Sequence, residues 1–111
     1  MNSGNNGVRQ YTLKGNISYI FNHTNMLVAL VALAEEAAEL SQAALKLARA
    51  QKLIKHPTPV GTMEALDSLN EEYADVVLCA MILNLYADSN LINRKAERWA
   101  ERLEEVENNA E

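Results

Sequence analysis

The chain has 111 residues and a net charge of −5, ten Lys and Arg set against fifteen Asp and Glu. That length is one domain's worth, small enough for partner subunits to supply much of its burial, and the basic residues are scattered, which argues against a grip on a nucleic-acid polymer. Hydrophobic residues make up 49%, with only four Gly and two Pro, and Ala and Leu dominate, so the composition points to an all-α fold.

Residues 1–10, "MNSGNNGVRQ", are polar and rich in Gly and Asn. Residues 11–23 add Tyr11, Leu13, Ile17, Tyr19, Ile20 and Phe21 without a clean period, and read as a short helix or hooked arm. Residues 1–23 are accordingly assigned as an N-terminal arm and residues 24–111 as the helical domain.

A long helix is expected from Thr24 or Asn25, both good N-caps, to about Ala50, since no Gly or Pro interrupts it. Its apolar run, Met26 to Ala34, is too short to span a bilayer and begins too late for a signal peptide. No membrane partner is expected. "KHPTPVGT" at 55–62 then breaks the chain, and Thr62 can cap a second long helix running to about Ala87. From Leu91 a last helix carries Ile92, Trp99, Leu103 and Val106 at heptad-like spacing. Two long antiparallel helices and a C-terminal one would complete a four-helix-bundle core by oligomerisation. The lone Cys79 has no partner for an intrachain disulfide, which agrees with a reducing, cytoplasmic setting.

The chemistry lies in two acidic clusters. In the first long helix Leu27, Leu30, Val31, Ala34, Ala38, Ser41 and Leu45 share one face, while Leu33, Leu40 and Leu47 lie nearly opposite. Glu35, Glu36 and Glu39 occupy the strip between, so this helix is expected to be sandwiched. In the second, Ser68, Glu72, Asp75, Cys79, Ile82 and Tyr86 form a seam, and Asp75 is followed by twelve uncharged residues, "VVLCAMILNLYA". Packed together, Glu36, Glu39, Glu72 and Asp75 would repel one another in a partly dry site, so a cation or protons must be present. Lys46 and Arg49 could neutralise part of the charge. Oxygen-only ligands at i, i+3 on facing helices suit a hard divalent ion, Mg²⁺ or Mn²⁺.

Spacing alone does not separate this set from solvated glutamates, because Glu101, Glu104 and Glu107 repeat it among Arg98 and Arg102; the apolar context does. His23 and His56 stand outside any Glu-x-x-His pair, which argues against a di-iron site. Trp99 and Tyr86 are expected to pack in a core, and Cys79 to be an inert core thiol.

Together "EEAAEL" at 35–40 and "EEYADV" at 71–76 resemble the paired signatures of the MazG-like all-α nucleoside triphosphate pyrophosphohydrolases, E-E-x-x-E-L followed by E-E-x-x-D-V. The likeness extends to "AALKLAR" and "RKAERWAERLEE" and covers roughly residues 26–107. Between Glu39 and Glu72 lie 32 residues, a little more than is common in the family.

The resemblance implies a homodimer or homotetramer that cleaves a nucleoside triphosphate to monophosphate and pyrophosphate with Mg²⁺, in nucleotide-pool house-cleaning. It also implies metal ligation by Glu36, Glu39, Glu72 and Asp75. Glu35 and Glu71, about 100° around the helix from their neighbours, either orient or deprotonate water or are simply solvated. Lys46, near the same strip, either meets a substrate phosphate or forms a salt bridge. Lys95 and Arg98 match basic positions the family uses near phosphates, and also read as an ordinary polar face. The alternative of another class is a non-catalytic helical module that uses these helices only to oligomerise or bind partners.

Overall fold

The computed structural model describes residues 9–52 and 59–110. Within them the chain forms four α-helices and no strand: α1 (Leu13–His23), α2 (Met26–Lys52), α3 (Pro59–Ile82) and α4 (Ser89–Asn109). The all-α expectation holds.

Side-chain caps set the starts. Thr12 Oγ1 accepts from Gly15 N (3.0 Å) ahead of α1, and Asn25 Oδ1 accepts from Val28 N (2.9 Å) ahead of α2. Asp88 Oδ1 accepts from Asn90 N (2.9 Å) and Leu91 N (3.3 Å) at the head of α4, each bond satisfying an N–H that the first helical turn leaves unpaired. Gly15 has a steric task besides: the chain folds back so closely that a Cβ there would overlap the Gln10 carbonyl. The fold-back sets Arg9 over the Tyr11 ring, 4.3 Å from its centroid.

Two boundaries differ from expectation. α3 begins at Pro59, which suits a first helical turn because its missing N–H costs nothing there; residues 53–58, with the first half of the expected loop and His56, lie outside the described residues. α3 ends at Ile82, five residues before Ala87. The stop is Asn84, whose positive φ of 59° lets Leu85 N donate to Ala80 O (2.9 Å) and Asn84 N to Met81 O (3.1 Å). This is a Schellman closure with Asn in the place usually taken by Gly.

α2 and α3 pair antiparallel: Met26 and Ala29 share a cavity with Ile82 and Leu83, while Glu36 meets Glu72 toward the other end. On α2 the residues facing α3 are Ala29, Leu33, Glu36, Leu40, Ala43, Leu47 and Ala50; on α3 they are Thr62, Ala65, Leu69, Glu72, Val76 and Cys79, with Leu83 just past its end. Steps of three and four run through both sets, the pattern of two helices meeting along a narrow seam. Among the described residues only Ala29, Ala43 and Ala65 are buried. Small residues at these places let the backbones approach closely. α1 packs on α3, and α4 packs on none of the other helices.

The outer face of α2, with Leu27, Leu30, Val31, Ala34, Ala38, Ser41 and Leu45, is exposed along its length. Within one chain α2 is therefore covered on one side only. Tyr86 and Trp99, expected in a core, are 80% and 68% exposed. The radius of gyration is 20.0 Å, against about 13 Å for a chain of this length that closes its own core. No single helix among the described residues is long and apolar enough to cross a membrane; α1 and α2 reach that apolarity only together, across a 119° bend.

Ala65, 3% exposed, leaves no space for a larger side chain at the closest part of the seam. Ala65→Leu should destabilise the protein by about 1–3 kcal/mol through overpacking, measured by urea unfolding. A neutral result would mean that the helices are not in close approach there.

Candidate metal centre

Glu36 and Glu72 stand at seam positions where the period calls for an apolar residue, and so face each other across the α2–α3 interface. Both are half-buried, while Glu39, nearly one turn beyond Glu36, is exposed at the flank. Each of the three offers a carboxylate oxygen within 4.8 Å of the other two's. Asp75 lies outside this trio on the exposed flank of α3, yet close enough for its charge to act on both Glu36 and Glu72.

The electrostatics are one-sided. Burial pushes the Glu36 carboxyl above its ordinary range, and the charges of Glu39, Asp75 and Glu72, with a hydrogen bond to Glu39, push the same way. Glu72 is raised first by burial, then by hydrogen bonding with Glu39 and by the charges of Glu39, Asp75 and Glu71. All the charged groups acting on the pair are carboxylates. One oxygen each of Glu36 and Glu72, the Oε2 atoms, is buried without a hydrogen-bond partner. A buried acceptor without a donor is costly, and a bound cation or a proton removes the cost.

The residues fit a hard divalent ion. The donors are all carboxylate oxygens, two of them orphaned, drawn from two facing helices, and the exposed flank at Glu39 leaves room for water or phosphate oxygens. Softer or tetrahedral sites need thiolate or imidazole ligands. Cys79, the nearest such group, has its thiol pushed up by burial and then by the charges of Glu36 and Asp75, which keeps it protonated and inert. His23 is engaged elsewhere, stacked on Tyr19 at 3.8 Å with Nδ1 donating to the Tyr19 carbonyl (2.8 Å).

The other sequence candidates fall into two groups. Glu35 and Glu71 are exposed beside Glu36 and Glu72 in the chain, Lys46 is exposed two turns beyond Glu39 on α2, and Glu71 adds its charge to Glu72. Lys95 and Arg98 are on α4, which packs against neither α2 nor α3, so one chain does not bring them to the carboxylates. An apolar cavity of about 200 Å³, lined by Ile20, Thr24, Val28, Ala29, Ala32, Cys79 and Ile82, opens between α1, α2 and α3, and none of the carboxylates lines it. Pockets that enclose a small-molecule ligand usually measure about 300–1,000 Å³.

Of the four acids grouped from the sequence the structure brings Glu36, Glu39 and Glu72 together and leaves Asp75 outside the trio, and Glu36 lies in the seam, not in a strip between two apolar faces. The seam runs through Ala29, Leu33, Glu36, Leu40, Ala43 and Leu47, which step by four and three. Comparison of the chain with protein-family models, curated proteins and solved structures returned no match.

Raised native pKa values bind protons more tightly in the folded than in the unfolded state. The stability they contribute is complete below the ordinary value of 4.5 and is lost as pH rises through the raised native values. Metal-free protein should therefore lose part of its melting temperature as pH rises above the ordinary carboxylate range and through the raised native values. Glu36→Gln or Glu72→Gln should flatten that slope and raise the melting temperature at neutral pH; wild type and variants with parallel profiles would contradict the shared site. Cys79 should react with a thiol reagent only slowly until the protein is unfolded, and fast labelling of the native protein would show that it is neither buried nor protonated.

Proposed function

We propose that the protein is a divalent-metal-dependent hydrolase of nucleoside triphosphates, releasing a nucleoside monophosphate and pyrophosphate. The observation that carries this reading is the trio Glu36, Glu39 and Glu72, with two buried and unpaired carboxylate oxygens at the centre of a helix–helix seam. No requirement of the fold explains it, since a Leu at either position would pack better and repel nothing. The paired sequence signatures supply the reaction class.

In this reading Glu36, Glu39 and Glu72 hold Mg²⁺ or Mn²⁺, with Asp75 beside them. The ion supplies charge neutralisation for phosphate oxygens. The chain's own groups do the rest: Glu71, exposed and close enough to influence Glu72, and Glu35 across the strip can each orient an attacking water and accept its proton at a carboxylate oxygen. Lys46 on the same helix as Glu39 offers a cation to a phosphate. Completion of the site in a homodimer or homotetramer is supported by the exposed apolar face of α2.

The rival reading, a helical module that only oligomerises or binds partners, draws support from the long exposed apolar face of α2. It assigns no task to the carboxylates, and the two readings part on that point.

Purified protein incubated with a panel of NTPs and dNTPs and Mg²⁺ should release pyrophosphate, and EDTA should stop it. Glu39→Gln and Asp75→Asn should each lower the rate by on the order of 10²-fold or more, at least as much as loss of groups that merely support metal ligands. Neither should lower the melting temperature of the metal-free protein, because each removes repulsion. Silence across canonical and damaged nucleotides would favour the interaction module, and full activity in both variants would overturn the site assignment.

A further inference from the structure

α1 packs on α3 but does not fill the space between them. None of its 11 residues is buried, and a cavity of about 360 Å³ opens along it, lined by Leu13, Asn16, Ile17 and Ile20 of α1, by Leu78 of α3 and by Arg9. The four α1 residues stand at i, i+3, i+4 and i+7 and so share one face of the helix. The volume falls within the range of about 300–1,000 Å³ that encloses a small molecule.

Two polar groups at this cavity are left with unused bonding capacity. Arg9 is the one charged residue that lines it. Its guanidinium is held by ring faces, 4.3 Å from the centroid of Tyr11 and 5.8 Å from that of Tyr19, and ring faces position a guanidinium without consuming its N–H donors. The second group is Asn16, whose Oδ1 is buried with no hydrogen-bond partner, a costly state for an acceptor. The terminal torsion of an Asn is soft, so a small turn of the amide brings this oxygen to a donor inside the cavity. The cavity also borders the first turn of α1, where the helix dipole favours negative charge.

We propose that the cavity between α1 and α3 binds a small amphipathic organic acid. Its apolar body lies against Leu13, Ile17, Ile20 and Leu78, its carboxylate takes the N–H groups of Arg9, and an N–H or O–H of the ligand donates to Asn16 Oδ1. One guanidinium neutralises one carboxylate in a planar, two-bonded pair, whereas a phosphate dianion would keep a charge among apolar walls. None of Glu36, Glu39 and Glu72 lines the cavity, so this site is separate from the carboxylate centre and does not rest on the hydrolase reading. Filling the gap joins α1 to α3, and the ligand therefore stabilises the folded chain by mass action.

The whole chain is titrated by calorimetry with indole-3-acetate, 4-hydroxyphenylacetate and N-acetyl-L-leucine, each of which has an apolar body, a donor and a carboxylate. At least one should bind with one equivalent per chain, and ¹⁵N–¹H NMR shifts should be confined to residues 9–20 and the neighbourhood of Leu78. The uncharged amide of that acid should bind more weakly by about tenfold or more, and Arg9→Gln should abolish the difference. Asn16→Leu deletes an acceptor that has no native partner, so it should keep the melting temperature while weakening the acid by about two- to tenfold. The acid methylated at its donor should bind the wild type no better than the acid itself binds Asn16→Leu.

No binding of any of the three acids at millimolar concentration would overturn the proposal. Equal affinity of acid and amide, or NMR shifts on the outer face of α2, would reduce the binding to adsorption on exposed apolar surface and overturn it too. So would an Arg9→Gln variant with intact helical circular dichroism and an unchanged preference for the acid. None of these readouts is an activity, so they decide the site whether or not the protein hydrolyses nucleotides.

Discussion

The structure turns on one electrostatic conflict: two glutamates, Glu36 and Glu72, occupy facing positions in the packing seam of α2 and α3, where the flanking alanines and leucines set an apolar environment. A carboxylate loses hydration on entering such a seam and gains nothing from a second carboxylate opposite. The raised pKa of both groups and the two orphaned oxygens are two expressions of that one placement. A helix pair whose only purpose was to be stable would have a Leu or an Ala there. The seam therefore holds a standing demand for positive charge, placed by the most regular part of the fold and not by a loop.

The seam is also what holds the carboxylates in register. Ala43 and Ala65, both buried, allow α2 and α3 to approach closely one or two turns from the acids, and the step of three and four residues fixes which side chains face inward. Rigid helices position ligands better than loops do. The same economy leaves the helices short of core: among the described residues the buried hydrophobic ones are three alanines, and the large apolar side chains on the outer face of α2 and on α4 are exposed.

How much of this was readable in the sequence follows from how local each cause is. The starts of α2 and α4 are local, set by Asn25 and Asp88 bonding to N–H groups two or three residues on; the first was legible, while the second lies two residues ahead of the expected Leu91. The end of α3 is also local, but its agent is Asn84 in a left-handed conformation inside an apolar run, and an Asn there is a weaker mark than a Gly. The identity of the acidic set was legible because two i, i+3 pairs stand in apolar surroundings. Which of them faces inward was not, because α2 has apolar residues on two sides and periodicity cannot say which side meets α3. Asp75 shows the limit: it shares a signature with Glu72 but points from the flank, and only the helix crossing decides that. The detachment of α4 is a tertiary fact with no local sign, since Trp99 and Leu103 would read the same packed in cis or against another chain.

The two conflicts in the molecule, unpaired carboxylates inside and unpaired apolar stripes outside, are coupled through Glu39. It belongs to the trio, and the strip it occupies with Glu35 borders the outer face of α2. Covering that face displaces water from one side of the carboxylates, which lowers the local dielectric and strengthens their attraction for any cation. It also raises the cost of leaving them unpaired. Were a partner to cover that face and a cation to bind the trio, each would favour the other by the same factor, because linkage between two equilibria is reciprocal.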